Sequence, residues 1–264
     1  PLSTEAYAAG SRWDRFDFRW NVIESRRGAF DYAPHEALVD EDRASGLEVV
    51  AILGSTAEWA AADCTAPSQQ ALTAPLPAGH PPLPRSTGDD VWWRPCPPVN
   101  LDLPWYHPEN YWGQYVYKTV SHFKDKVKVW EMWNEPDLSW FWIGSAADYA
   151  RLLEVGYRAA KAADPDATVL FAGLAYWTQP TFYIDVLNAL GKAEGIEAYN
   201  GFFDALSLHL YSNVYTLGPI ADEIQAAMQA TVGAHPIWLT ETGVPIWDEI
   251  RSTPYENAAT AEEA

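Results

Sequence analysis

The sequence predicts an α/β fold, a (β/α)8 TIM barrel truncated to strands two to seven, and three observations carry that expectation. Short apolar, β-branched runs alternate with amphipathic helical stretches, the pattern of parallel βα units. The ends of those runs recur at nearly constant spacing. Two of them close on motifs that place a glutamate at the C-terminal end of a strand, where barrel enzymes carry their chemistry.

The runs, in chain order, are Arg12–Phe18, Leu47–Leu53, Val127–Trp133, Thr168–Gly173, Ala205–Leu210 and Ile237–Thr240. Their ends fall near Phe18, Gly54, Glu135, Gly173, His209 and Glu241, at intervals of 36, 81, 38, 36 and 32 residues. A barrel of ~250 residues in eight units averages roughly 31 per unit, so four of the five intervals fit directly. Between the third and fourth runs, Ala146–Ala163 has helical periodicity with Arg151 and Lys161 on its wet face, and Asp164-Pro165-Asp166 stops it. The long interval holds an insertion over residues 57–107, rich in Pro, Trp and small polar residues. Leaving from a strand end, it is expected on the C-terminal face, as a lid or cleft wall or as a mere excursion. Leu2 to Gly10 reads as the tail of a helix and the residues after Trp247 as the start of another. The expectation is therefore one catalytic barrel domain over 1–264, lacking a strand at each end and marginally stable on that account.

Composition narrows the function classes. The 264 residues are 48% hydrophobic and 20% charged, a globular balance, with a net charge of −19. That charge argues against nucleic acid and anionic lipid as partners, both of which call for a Lys/Arg surplus. The apolar runs are too short to cross a bilayer, so no membrane association is expected. The fourteen Trp and fourteen Tyr suit the C–H faces of sugar rings and equally suit a core. Cys64 and Cys96 fit no metal or redox spacing; a disulfide in a secreted protein and two thiols in a cytoplasmic one are both open. Oligomeric state is not legible.

Trp133-Asn134-Glu135-Pro136-Asp137 closes the third run and Thr240-Glu241-Thr242-Gly243 the sixth. Three βα units separate the two glutamates, so both are expected to enter one mouth from opposite sides of a barrel. Cleavage of a glycosidic bond with retention needs two carboxyl groups about 5 Å apart, one protonated and one ionised. Asn-Glu-Pro with Thr-Glu-x-Gly three units on resembles glycoside hydrolase clan A, most closely family 39 and next family 5. The opening Trp13-Asp14-Arg15-Phe16-Asp17-Phe18-Arg19-Trp20, with Glu24 and Gly28, resembles the second-strand segment of such enzymes. The resemblance spans the chain apart from the insertion.

It implies a retaining hydrolase of β-linked oligo- or polysaccharides, with Glu135 as acid/base and Glu241 as nucleophile. By the same resemblance Asn134 binds the sugar 2-hydroxyl, Arg15 sits beneath the nucleophile, Tyr211 donates to Glu241 and His209 lines the sugar pocket. Trp59, Trp140 and Trp177 follow run ends and are candidates to stack on sugar. Each has a plainer reading: an ion pair of Arg15 with Glu131 or Asp17, pocket-wall packing for His209 and Tyr211, and loop packing for the tryptophans. Family 5 usually carries a His where this chain has Leu53-Gly54-Ser55, which favours family 39. The clan's eighth-strand Trp would lie beyond Ala264, which puts the activity of this chain in doubt. No cofactor or metal is expected, since a metal hydrolase would need His/Asp clusters at several run ends and only His209 sits at one. The rival from another class is a non-catalytic carbohydrate-binding barrel that keeps the cleft.

Overall fold

A computed structural model describes residues 2–62, 93–211 and 214–243. Six strands form one parallel sheet in chain order: β1 (Trp13–Arg19), β2 (Glu48–Gly54), β3 (Val129–Asn134), β4 (Thr168–Leu174), β5 (Ala205–Leu210) and β6 (Ile237–Thr242). The helices are α1 (Leu2–Ala8), α2 (Trp20–Ile23), α3 (Ala33–Ser45), α4 (Tyr111–Phe123), α5 (Ala146–Ala163), α6 (Phe182–Leu190) and α7 (Leu217–Thr231). Strand and helix alternate, so this is an arc of a truncated (β/α)8 barrel, and each strand lies within two residues of its expected ends. The segment after Trp247 lies outside the described residues. Among the described residues, no helix is long and apolar enough to cross a membrane.

The central strands are buried along nearly their whole length, as β3 and β5 are throughout, which is why they read as continuous apolar runs. One face of the sheet packs on the helices: Trp130, Met132 and Phe171 meet Trp112, Tyr115 and Leu152 in the main core. On the other face a smaller layer of Val50, Val129, Leu170 and Ala205 packs with Trp238. Trp13 and Trp238 meet edge to face at 6.0 Å, so β1 and β6 touch across that second face without pairing as strands. Helix α5 starts on a capping box, in which Ser145 Oγ accepts from Asp148 N and the Asp148 carboxylate accepts from Ser145 N. It ends at Asp164, the residue before a proline, where helical backbone is disfavoured.

A break in alternation at the end of β3 builds the mouth. Glu131 faces the helix-free side and Met132 the core, so a regular strand would turn Trp133 inward. Trp133 instead has φ 86°, and its ring packs outward on Trp112 and Trp142. Asn134 is thereby returned to the inner side, and Glu135 follows at φ 41°. Left-handed backbone in a tryptophan and a glutamate is costly and concentrates at functional sites. Register shifts in the β4–β5 and β5–β6 ladders, the latter between Leu208 and His209, similarly re-aim the ends of those strands.

The described flanks of the insertion run beside each other: Ala62 N donates to Pro97 O at 2.9 Å and Val99 N to Ala60 O at 2.9 Å. Trp93 packs over Gly54 and edge-on to Trp133, and its Nε1 donates to Phe141 O at 3.0 Å. Both flanks thus lie by the C-terminal ends of β2 and β3. Residues 63–92 lie outside the described residues, and with them Cys64 and its pairing with Cys96.

Candidate active site

The inner side chain of β1 that organises the mouth is Arg15. Its Nε donates to Glu131 Oε2 at 2.6 Å, Nη1 to Glu241 Oε1 at 2.5 Å and Nη2 to Asn134 Oδ1 at 2.9 Å, with His209 Nε2 3.2 Å from Nη2. Burial opposes a charge on Arg15, but Glu131 and Glu241 outweigh it and raise the pKa, so the guanidinium is permanently cationic. One guanidinium thus makes ion pairs with Glu131 and with Glu241 at once. No bond joins it to Asp17, whose carboxyl is raised above its ordinary range by burial, with Arg15 and Arg19 working against that.

Glu131 is the residue whose part the motifs did not reveal. Fully buried, it accepts from Arg15 Nε, from Gly173 N at 2.8 Å and more distantly from Thr240 Oγ1 at 3.4 Å, tying β1, β4 and β6 to β3. Its signal was a carboxylate in the middle of an otherwise apolar strand. Asp137 was likewise overlooked: its carboxylate accepts from Ala175 N at 3.1 Å and Tyr176 N at 2.7 Å, holding the loop after β4. Burial pushes its pKa up to about 6, against those two backbone donors and with a contribution from Glu135.

Glu135 is buried and His209 Nδ1 lies 2.8 Å from its Oε1. A guanidinium only donates, so His209 Nε2 must accept from Arg15 and the ring proton sits on Nδ1, aimed at Glu135. Gly173 makes this possible, since a Cβ there would stand 1.9 Å from His209 Nε2. Glu241 is more open, its side chain 27% exposed. Tyr211 OH donates to its Oε2 at 2.6 Å while Arg15 holds Oε1. The phenol stays protonated, its pKa raised by burial and by the bond to Glu241. One ligand atom each of Glu135, His209 and Glu241 lies within 4.8 Å of the others. Among the described residues this is the one group that could gather a metal ion, and Arg15 already supplies positive charge to it.

The structure thus brings Arg15, Asn134, Glu135, His209, Tyr211 and Glu241 into one cluster. The tryptophans lie further out. Trp59 donates to Glu24 O at 2.9 Å and stands edge-on to Trp20 and Tyr111. Trp140 is half-buried beside Phe141. Trp177 is 50% exposed with its ring against Tyr176.

No protein-family model and no curated protein matches this chain. Solved structures do. A family 39 β-xylosidase from Caulobacter crescentus superposes with a TM-score of 0.59 at 21% identity, over 92% of this chain and 49% of that one. A family 39 glycoside hydrolase from Bacteroides cellulosilyticus WH2 gives a TM-score of 0.56 at 19% identity, over 91% of this chain and 45% of that one. A fungal β-1,4-galactanase gives 0.57 at 18% identity, over 93% and 66% respectively. The chain is similar in fold to clan A glycoside hydrolases, and it spans about half the length of the two family 39 structures.

Proposed function

We propose that this chain carries the catalytic centre of a retaining β-glycoside hydrolase, acting on oligo- or polysaccharides, with Glu241 as nucleophile and Glu135 as acid/base. The observation that carries the reading is the convergence of the two glutamates, from the ends of β3 and β6, to within 4.8 Å between single carboxylate oxygens. Oxygens this close are compatible with a retaining pair, whose carboxyl groups stand about 5–5.5 Å apart for direct attack on the anomeric carbon.

The surroundings divide the roles. Arg15 and Tyr211 each hold one oxygen of Glu241 and favour its ionised form. Glu135 is buried, and with His209 donating to Oε1 the acid proton belongs on Oε2. In the first step Glu241 bonds to the anomeric carbon as the glycosidic C–O bond breaks, and Glu135 passes its proton to the leaving oxygen. In the second, Glu135 takes a proton from water, whose oxygen displaces Glu241. In this reading Asn134, whose Oδ1 accepts from Arg15 at 2.9 Å, contacts the sugar 2-hydroxyl.

A panel of aryl β-glycosides differing in the sugar tests the reading. The released sugar should keep its configuration. Glu241→Ala should lose turnover and regain it with azide, giving a glycosyl azide of inverted configuration. Glu135→Ala should still be glycosylated by dinitrophenyl glycosides, whose leaving group needs no proton, and azide should give the retained product. Equal loss on all leaving groups in both variants, or an inverted sugar from the wild type, would show the roles to be wrong.

A further inference from the structure

A second concavity shares no residue with the glutamate cluster. It encloses about 190 Å³ between the segments that follow β1 and β2 and the first two turns of α4, against Glu24, Arg27, Trp59, Tyr111, Gln114 and Lys118. At ~30 Å³ per water this is room for roughly six waters, the bulk of one pyranose ring. Its walls are held in place. Trp59 is pinned through Nε1 to Glu24 O at 2.9 Å and meets Tyr111 edge-on at 5.2 Å. Arg27 lies over the Tyr111 ring at 4.6 Å. Glu24 is only 4% exposed, with Oε1 on Gly28 N at 2.7 Å and Oε2 on Trp20 Nε1 at 2.8 Å, so its carboxylate is fixed yet keeps lone pairs.

The lining is mixed in a way that discriminates among occupants. An anion would meet the carboxylate of Glu24, a cation would meet Arg27 and Lys118, and an apolar group would serve neither the charged heads of Arg27 and Lys118 nor the second amide hydrogen of Gln114, whose first goes to Trp105 O at 3.3 Å. A neutral ring bearing hydroxyls answers all of them. Its hydroxyls accept from Arg27, Lys118 and the Gln114 amide, donate to Glu24 and the Gln114 carbonyl, and its C–H groups pack against the walls that Trp59 and Tyr111 make at an angle to each other. We propose that this recess is a secondary site for a neutral sugar residue of a glycan, apart from the two-glutamate cluster. It goes beyond the hydrolase reading and does not need it, because the site binds by its own lining and performs no chemistry.

Migration of the chain in native gels cast with neutral β-1,4-linked glucan, mannan or galactan reads the site without turnover. At least one glycan should retard the wild type, and the Glu135→Gln/Glu241→Gln double variant should be retarded equally. Tyr111→Ala and Gln114→Leu should each weaken retardation by about tenfold in apparent affinity, the effect of ~1.4 kcal/mol; Gln114→Leu keeps the volume and guards against a merely misfolded Tyr111 variant. Absence of retardation by every neutral glycan, retardation only by polygalacturonate, or retention of full binding in Gln114→Leu and folded Tyr111→Ala overturns the proposal. So does loss of binding in the double glutamate variant, which would assign the glycan to the cleft. Inactivity on aryl glycosides with recess binding intact would count against the hydrolase reading alone.

Discussion

Glu131 and Glu241 share one guanidinium but differ in what surrounds them. Glu131 is fully buried, so removing it takes a buried counter-ion from Arg15 and leaves the donors of Gly173 and Thr240 without their acceptor, although Arg15 keeps Glu241; Glu241 is partly solvated, and its loss leaves Arg15 paired with Glu131 and orphans no strand contact. Glu131→Ala should therefore destabilise the fold by about 3 kcal/mol, chiefly through the orphaned buried donors, and Glu241→Ala by about 1 kcal/mol or less. Urea denaturation of the two variants measures this, and equal losses would remove the distinction between anchor and reactive group. Asp137 gives a pH-dependent counterpart. Its folded pKa of about 6 lies above the ordinary 3.8, so its contribution is fully present below pH ~4 and is lost as the pH rises through ~6. The loss amounts to about 3 kcal/mol. Against an Asp137→Asn variant, which cannot ionise, the wild type should be the more stable at pH ~4 and should lose that advantage by pH ~7. A difference between the two that does not change with pH would mean that Asp137 is not held neutral by burial.

At the scale of elements, the ends of β3, β4 and β5 act together: the turn that delivers Glu135 works only because β4 has no side chain where His209 must lie. Gly173→Ala places a methyl against the imidazole, so His209 must leave both Glu135 and Arg15. The expected cost is about 1–3 kcal/mol from overpacking, together with a displaced His209 ring resonance by NMR; an unmoved resonance and an unchanged melt would contradict it. These elements also mark what was legible in the sequence. The strands were, because parallel strands buried on both faces are continuous apolar runs, and Ala146–Ala163 was, because its helical periodicity runs up to the stop at Asp164-Pro165-Asp166. The left-handed turn at Trp133 was not, since tryptophan carries no preference for positive φ and the turn is imposed by packing on Trp112 and Trp142. Glu131 was visible only as a rival partner for Arg15, because nothing local says that a strand carboxylate will reach three other strands. Trp59 shows the limit from the other side: following a strand end does not say which concavity a ring will line.

For the whole molecule, two features oppose each other. Among the described residues, β1 and β6 each have a strand on one side only, leaving backbone donors and acceptors open at both edges of the arc. Apolar surface lies there too, with Trp13 49% and Leu239 41% exposed. Both favour pairing of one copy with another. The net charge of −19 works against it, because like-charged copies repel before their edges meet. Salt acts on only one side of this balance: at about 0.1 M the Debye length is ~10 Å, and at 1 M it is ~3 Å, whereas strand pairing and apolar contact are not screened. Self-association of the chain should therefore rise with ionic strength, the reverse of what an interface held by opposite charges would do. Sedimentation velocity at about 20 mM and about 500 mM salt reads this directly, with a larger and concentration-dependent mass expected in the second. Lysine introduced for Trp13 and Leu239 should lessen association at high salt, by placing charge beside the open edges. A chain that stays monomeric in both conditions and melts cooperatively above ~65 °C, beyond the usual mesophile range, would show that the two edges are not available to a partner.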